Sequence, residues 1–297
     1  MTRNADVAAP ADSQIAVQFM LPVPELRRFI SGYHFYTLSY PPGHVHYDVF
    51  YPAWANVRFY ASDMNWRIAI GDRAFDPVPQ AALFGPTSRS STSASGAGTM
   101  IGAGLTPLGW TRLIGVDAAS HADGVVALAN VLPGAGELAG DVIGATDAAS
   151  AVRVMDGYFL ARLGSAGRND ARIEAMHRLL VQAPPITVNE AAAAVGMHPR
   201  GFLRLALASF GFRPKLLLRR ARFLRTLTRL EEQPNAHWVD VLDIGYHDQS
   251  HFIRDSHEFL GMAPGDFLRL PRPINAASTR LRRAMLGAPA QALHRPE

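Results

Sequence analysis

Two clusters of side chains in the second half of the chain carry groups that can read a pattern of hydrogen-bond donors and acceptors. An arginine can donate two hydrogen bonds to O6 and N7 of guanine, and a glutamine can pair in a similar way with adenine. The side chains that we expect to contact double-stranded DNA are Arg200, Leu203, Arg204, Gln249, Ser250, His251 and Arg254. Arg200, Leu203 and Arg204 share one face of a predicted helix, and the other four fall in the first two turns of a second predicted helix.

The first cluster lies in the segment TVNEAAAAVGMHPRGFLRLALASFGFRP, residues 187–214. Thr187 with Glu190 three residues later is the capping-box arrangement that begins a helix. Gly196 favours the left-handed turn that ends it, and Pro199 is typical of the first position of a second helix. The segment therefore predicts a helix, a glycine turn and a second helix, the plan whose second helix can lie in a major groove.

The second cluster repeats this layout within residues 238–270. An apolar helix is followed by Gly245, and Asp248 is expected to cap a helix that begins at Gln249. The two units end in the similar phrases FGFRP and LGMAP. Two such units about 50 residues apart are much less expected by chance than one.

A continuous helix is predicted between the two units, from Lys215 to Glu232. At 1.5 Å per residue it spans roughly 25 Å, which could place the two reading helices in successive major grooves. Several of its arginines could contact backbone phosphates or simply face solvent. The phosphate-contact candidates are Arg219, Arg222 and Arg225.

Each proposed DNA contact also has a simpler interpretation. Arg204 and Arg254 could instead form salt bridges within the protein. The acids within reach for such bridges are Glu190, Asp243 and Asp255. His251 could contact a phosphate or make a structural hydrogen bond, and Phe252 is expected in the apolar core together with Phe202 and Leu205.

The phrase GYHDQSHFIRDSHEFLGMAP resembles the second motif of the AraC/XylS family of bacterial regulators, and the first unit resembles that family's first motif. The resemblance covers roughly residues 170–272. It implies promoter binding through two helix-turn-helix units, and it suggests a homodimer and a possible contact with RNA polymerase. The chain departs from the family pattern at Ala206, at Ser256 and at His198, which suggests a looser first unit.

The first half of the chain predicts short strands, because apolar and aromatic runs are broken by Gly and Pro between Ile15 and Leu113. The polar stretch 87–98 is interpreted as a loop between strands. This half resembles the cupin-like sensor domain of some AraC-type regulators, which implies a small-molecule effector or a dimer contact. The aromatic side chains proposed to line a ligand pocket, with a packed aromatic core as the alternative, are Tyr33, Phe35, Tyr47, Tyr51 and Trp54.

His44 and His46 form the H-x-H pair that metal-binding cupins use, but the glutamate that those cupins need shortly downstream is missing. We therefore expect no metal, no cofactor and no catalytic residues. A cupin-type metal-dependent enzyme fused to a DNA-binding domain remains the alternative, and so does a purely structural DNA-bound protein. The absence of cysteine excludes cysteine nucleophiles and an alkyl-accepting repair regulator.

The bulk properties agree with a soluble two-domain protein. Residues 168–297 hold 19 basic and 12 acidic side chains, whereas the whole chain has a net charge of +4. A basic half joined to a slightly acidic half indicates that one part meets a polyanion. No apolar run is long enough for a membrane span and no signal peptide is evident, so a cytoplasmic location is expected.

The predicted fold is α+β with two domains, a β-rich cupin-like domain followed by an all-α domain with two helix-turn-helix units joined by a long helix. The predicted divisions are an arm at 1–14, a sensor or dimerisation domain at 15–163, a linker at 164–170, a DNA-binding domain at 171–272 and a tail at 273–297. The tail could be a short basic helix or disordered.

Overall fold

A computed structural model describes residues 14–61, 64–182, 185–233, 238–243 and 245–294 of the chain. The first half is built from two antiparallel sheets, which confirms the β-rich prediction. The larger sheet has the order β1 (Gln14–Met20), β2 (Ile30–Ser39), β9 (Gly98–Leu105), β4 (Asn56–Tyr60), β7 (Ala81–Phe84) and β10 (Val125–Ala127). The smaller sheet has the order β3 (His46–Phe50), β8 (Ser91–Ser95), β5 (Arg67–Ile70) and β6 (Arg73–Phe75).

Strand β8 corrects the prediction that residues 87–98 form a loop. It pairs with β3 on one side and with β5 on the other, so it is a central strand of the smaller sheet. Its small side chains are mostly buried, and Ser93 Oγ accepts a hydrogen bond of 2.8 Å from the indole of Trp66. The serine-rich composition of β8 is typical of a loop. In the structure its small side chains are buried against bulky residues such as Trp66.

The helices begin after β9. α1 (Pro107–Gly109) continues into a π-helical turn at Trp110–Ile114, and α2 (Ala135–Ile143) and α3 (Ala148–Arg162) follow β10. The second half contains α4 (Asp170–Gln182), α5 (Val188–Ala194), α6 (Pro199–Phe210), α7 (Pro214–Glu232), α8 (Trp238–Val241), α9 (Gln249–Leu260), α10 (Pro264–Arg269) and α11 (Pro273–Leu286). Helix α7 confirms the predicted long bridge between the two units.

The two halves share one connected apolar core, which includes Trp54 of the first half, Phe210 of α6 and Leu293 near the C-terminus. The predicted linker is tied to the first half, because Arg112 donates to the carbonyl oxygens of Leu163, Gly164 and Ser165. The predicted domain divisions remain predictions. Strand β1 begins at Gln14, the last residue of the predicted arm. Residues 1–13 lie outside the described residues.

The segment after the second unit folds back onto the first half. Helix α11 contacts β1 and β3, and its first backbone amides donate to the buried carboxylate of Asp48, from Ile274 at 2.8 Å. Gln291, in a short 3₁₀ turn at Gln291–Leu293, donates to the carbonyl of Ala55 and accepts from Asn56. The tail is thus a helix and a buried turn, and the open choice between helix and disorder is settled for residues 273–294.

Candidate nucleic-acid interface

The first helix-turn-helix unit forms as its local signals predict. Thr187 Oγ1 accepts from the Glu190 amide, and Glu190 Oε2 accepts from the Thr187 amide at 2.8 Å, which completes the capping box. Gly196 has φ of 67°, the left-handed conformation in which glycine carries no steric cost. His198 then caps α6 by accepting from the Arg200 amide at 3.3 Å. Histidine thus takes the capping role that serine often has.

Helix α6 separates its side chains as the interpretation requires. Phe202 and Leu205 are buried, and Ala206 is buried beside them. Arg200 and Arg204 are exposed, and Leu203 is partly exposed between them. The first three predicted DNA contacts therefore share an accessible face near the N-terminal end of α6.

The second unit places its candidates in the same way. Asp248 caps α9 by accepting from the His251 amide at 2.7 Å, and Phe252 is fully buried. Gln249, Ser250 and Arg254 are exposed. The predicted cap, the predicted helix start and the predicted core position of Phe252 are all confirmed.

His251 occupies an intermediate position. Its Nε2 lies 3.2 Å from Nη2 of Arg222, and its ring meets Tyr246 edge to face. Burial lowers the pKa of His251, and the charge of Arg222 lowers it further. The imidazole is therefore expected to be neutral at pH 7, so it offers a base edge a hydrogen bond and not a charge.

The acids that could have neutralised the reading arginines are engaged elsewhere. Glu190 caps α5, Asp243 pairs with Arg225 at 2.8 Å, and Asp255 pairs with arginines of α7. The alternative salt bridges of Arg204 and Arg254 with these three acids are therefore not formed. Both guanidinium groups stay available to a ligand.

Asp255 of α9 joins α9 to α7 through a buried cluster of charged side chains, and Asp255 itself is only 1% exposed. It accepts hydrogen bonds from Arg219 at 2.5 Å, from Arg222 at 3.0 Å and from the Tyr246 hydroxyl at 2.8 Å. Burial raises the pKa of this carboxyl, but the hydrogen bonds from Arg219, Tyr246 and Arg222 outweigh burial and hold it below its ordinary value. The cluster therefore carries a carboxylate at neutral pH.

The three arginines predicted to contact phosphates all take part in ion pairs inside the protein. Arg219 and Arg222 bind Asp255, and Arg225 binds Asp243 while it also points at the carbonyl of Leu180. Each side chain is only partly exposed. Their first evident role is to fix the second unit on the long helix, and a phosphate contact stays a prediction.

One loop of the β-rich half, residues 86–90, holds the C-terminal ends of both reading helices. The Ser90 amide donates to the carbonyl of Phe259 at 2.7 Å, and Ser90 Oγ donates to Leu260 at 3.2 Å, both at the end of α9. Gly211, which ends α6, lies so close to Pro86 that an added Cβ would be 2.5 Å from its Cγ.

The bridging helix is attached to the same loop. Arg220 of α7 donates to the carbonyl of Thr87 at 2.5 Å and lies 4.2 Å above the ring of Trp54. The 86–90 loop therefore contacts the C-terminal ends of α6 and α9 and also Arg220, in the N-terminal half of α7. Sequence reasoning missed this loop because nothing within it resembles a contact motif.

The five aromatic residues proposed for a ligand pocket do not come together. Tyr51 and Trp54 line a cavity in the β-rich half. Tyr33 and Phe35 are buried in the core, where the Tyr33 hydroxyl donates to Asp156 at 2.7 Å, and Tyr47 is 53% exposed. Tyr51 also donates to Glu231 of α7, so it connects the cavity wall to the long helix.

The H-x-H pair lies beside an aspartate and a tyrosine. His46 Nε2 is 3.5 Å from Asp48 Oδ2, and Tyr40 stacks on the His46 ring and lies against His44. Among the described residues, no group of three or more His, Cys, Asp or Glu side chains is arranged to hold a metal ion. Within those same residues, no helix is long and apolar enough to cross a bilayer.

The two units are helix-turn-helix units of the kind whose second helix can lie in a major groove of DNA. Residues 191–270 match the family described as "Helix-turn-helix domain", and this part of the chain is a helix-turn-helix domain of the AraC type. No curated protein is significantly similar to the chain.

Several solved structures are similar to the chain at low identity. ToxT from Vibrio cholerae is 10% identical, with 86% of this chain and 96% of ToxT covered and a TM-score of 0.40. ToxT bound to (E)-4-(8-methylnaphthalen-1-yl)but-3-enoic acid is 10% identical over 86% of this chain and 98% of that one, with a TM-score of 0.42. The AraC-like transcriptional activator CuxR is 16% identical over 70% and 85%, with a TM-score of 0.25.

Proposed function

We propose that the chain regulates transcription by reading two successive major grooves of a promoter with α6 and α9. Helix α6 would present Arg200, Leu203 and Arg204, and α9 would present Gln249, Ser250, His251 and Arg254. The supporting observation is that these side chains are exposed or partly exposed in the N-terminal halves of their helices. The cores of both helices, by contrast, are buried.

The rigid frame of the two reading helices supports this proposal. Helix α7 has 19 residues, so it is about 28 Å long at 1.5 Å per residue. Neighbouring major grooves on one face of DNA are roughly 34 Å apart. The Asp255 cluster fixes α9 to α7, and the 86–90 loop contacts the C-terminal ends of α6 and α9 and Arg220 within α7. Such a frame would preserve the spacing between the two heads when DNA binds.

The β-rich half would act as the sensor or dimerisation domain. Its two antiparallel sheets line one side of a cavity, which supports an effector and a cupin-like architecture. A homodimer, a contact with RNA polymerase and a cytoplasmic location belong to the same proposal. Light scattering of the purified protein would measure its oligomeric state, and a purely monomeric protein, with and without DNA, would contradict the homodimer.

Binding to the DNA upstream of the protein's own gene tests the proposed function. In a gel-shift titration we expect a specific complex whose affinity falls steeply as salt increases, because cations condensed on the phosphates are released. Competitor DNA of scrambled sequence should displace the protein weakly. If both DNAs compete equally, the regulator proposal fails and a purely structural DNA-bound protein is favoured.

The second candidate function is a metal-dependent enzyme attached to the same DNA-binding domain. Only the H-x-H pair supports it. Metal analysis of the purified protein separates the two: a stoichiometric transition metal bound at His44 and His46, and lost on substitution of both, would support the enzyme.

A further inference from the structure

A cavity in the β-rich half is closed on one side by the helix that follows the DNA-binding domain. His34 of β2 and Arg58 of β4 line it from the larger sheet, and Asn275, Ser278 and Arg282 line it from α11. It contains about 80 Å³ of free space. Residues from both halves of the chain therefore build one pocket, which is open to solvent on one side.

Two arginines face this cavity without an acidic partner. Arg282 is 7% exposed, and its Nη1 has no hydrogen-bond partner. Arg58 has an unpartnered Nε, and its Nη1 reaches only the sulfur of Met100 at 3.7 Å. None of the described residues that line the cavity is Asp or Glu.

The surroundings of these arginines do not neutralise their charge. Arg58 lies 4.9 Å from the centre of the Phe84 ring, and Arg282 lies 5.0 Å from that of Phe19. Burial lowers the pKa of Arg58, and it lowers the pKa of Arg282 to about 10, to which the charge of Arg58 contributes. A guanidinium group is not deprotonated in proteins, so both side chains are cations at pH 7. Aromatic faces attract a cation but do not accept the in-plane hydrogen bonds of a guanidinium.

Neighbouring polar groups of the cavity also lack hydrogen-bond partners. His34 is 2% exposed and both of its ring nitrogens lack a partner, as does Nδ2 of Asn275. The amide nitrogen and one nitrogen of a neutral imidazole are donors, like the two guanidinium groups. Buried donors are normally satisfied, and buried charges are normally paired. Water could accept hydrogen bonds here, but it would leave two like charges side by side.

Apolar side chains form a further part of the wall, among them Phe50, Ile68, Ile70 and Phe84. A ligand that fits this cavity has an anionic group at one end and a compact apolar part next to it. A carboxylate offers two coplanar oxygens, which match the fork of a guanidinium.

We propose that this cavity binds a small organic carboxylate, whose oxygens accept hydrogen bonds from Arg58 and Arg282 and whose apolar part lies against the ring of Phe84. The same cavity is lined by Gly85, Thr87 and Ser91, which belong to or flank the 86–90 loop. A ligand there touches the loop that holds the ends of the reading helices. As an effector it rests on the function proposed above, but its binding does not require DNA.

Calorimetry on the full-length protein without DNA tests the site. The probes are benzoate and hexanoate, which differ in the shape of the apolar part, with benzamide as the uncharged analogue of benzoate and inorganic phosphate as an anion without an apolar part. We expect saturable binding of at least one carboxylate, at least ten-fold tighter than benzamide or phosphate. Arg282→Met and Arg58→Met should each weaken it at least ten-fold, whereas Arg280→Met, an exposed arginine on the same helix, should not.

The comparison of benzoate with benzamide uses the unaltered protein, so it stays decisive if an arginine variant fails to fold. Equal binding of acid and amide, binding of phosphate alone, or no binding of either acid would overturn the proposal. Arg254→Ala should keep carboxylate binding and lose base preference. A loss of carboxylate binding and a loss of base preference can therefore be measured separately.

Discussion

Removing the charge of Asp255 should detach the second reading unit from the long helix. The residue accepts hydrogen bonds from Arg219, Arg222 and Tyr246 in a site where it is almost fully buried. Asp255→Asn keeps the shape of the side chain but leaves two cations without their shared partner. This substitution tests whether the ion pairs with Arg219 and Arg222 are needed to hold α9 against α7, or whether apolar packing alone is sufficient.

The expected magnitude follows from the partners that remain. Breaking a buried ion pair from one side typically costs about 3–5 kcal/mol. Arg219 still reaches Glu258, and Arg222 still donates to the Gly245 carbonyl at 2.8 Å, and both are partly exposed. We therefore expect a loss of roughly 2–3 kcal/mol in the free energy of unfolding, after discounting for these contacts and for solvent screening.

Urea denaturation followed by circular dichroism measures this loss, and amide hydrogen exchange shows whether α9 opens first. The matched control is Asp266→Asn, whose ion pair with Arg269 is exposed on both sides and should be worth less than about 0.5 kcal/mol. If Asp255→Asn and Asp266→Asn cost the same, the Asp255 cluster does not hold the unit. Because the pKa of Asp255 is lowered on folding, its contribution should be present above the ordinary carboxyl pKa and lost as pH falls through the folded value.

Two further predictions concern the contact between the halves. Gly211→Ala and Gly261→Ala each place a Cβ on a residue with positive φ, which should lower the free energy of unfolding by about 1–2 kcal/mol. Only the Cβ added at Gly211 meets another residue, because it would lie 2.5 Å from Cγ of Pro86, whereas nothing lies within 4 Å at Gly261. Gly211→Ala should therefore unfold at clearly lower urea, and equal midpoints would argue against close docking at Pro86. Burial lowers the pKa of His177 from 6.5 to about 3. The contribution of the neutral imidazole to the free energy of unfolding should therefore be fully present above pH 6.5 and be lost as the pH falls towards 3. His177→Phe should remove on the order of 4 kcal/mol of this acid dependence, measured by urea titration at each pH, and an unchanged acid limb would contradict the assignment.

The parts of the structure that the sequence predicts are those whose causes lie a few residues apart. The Thr187 capping box, the left-handed Gly196 and the Asp248 cap each depend on atoms within one turn of a helix. The apolar spacing of α6 and α9 likewise separates Phe202 and Phe252 from the exposed face. These local signals place every DNA-reading candidate correctly on its helix.

The parts that the sequence does not predict depend on partners far away in the chain. Strand β8 is a strand because β3 and β5 pair with its backbone, which no serine-rich composition reveals. Arg219 and Arg222 resemble exposed phosphate contacts until Asp255 is brought beside them by folding. The docking of the tail through Asp48 and the hold of Ser90 on α9 join residues more than 160 positions apart.

The most direct test of the two-headed reading is a measurement of binding to every single-base variant of a bound site. The proteins compared are the wild type, Arg204→Ala, Arg254→Ala and, as a control, the exposed Arg269→Ala. We predict that Arg204→Ala relaxes preference in one half of the site and Arg254→Ala in the other, by about 1–3 kcal/mol at one position each and about one helical turn apart. A uniform loss of affinity across all sequences for both variants, or no difference from Arg269→Ala, would contradict the account.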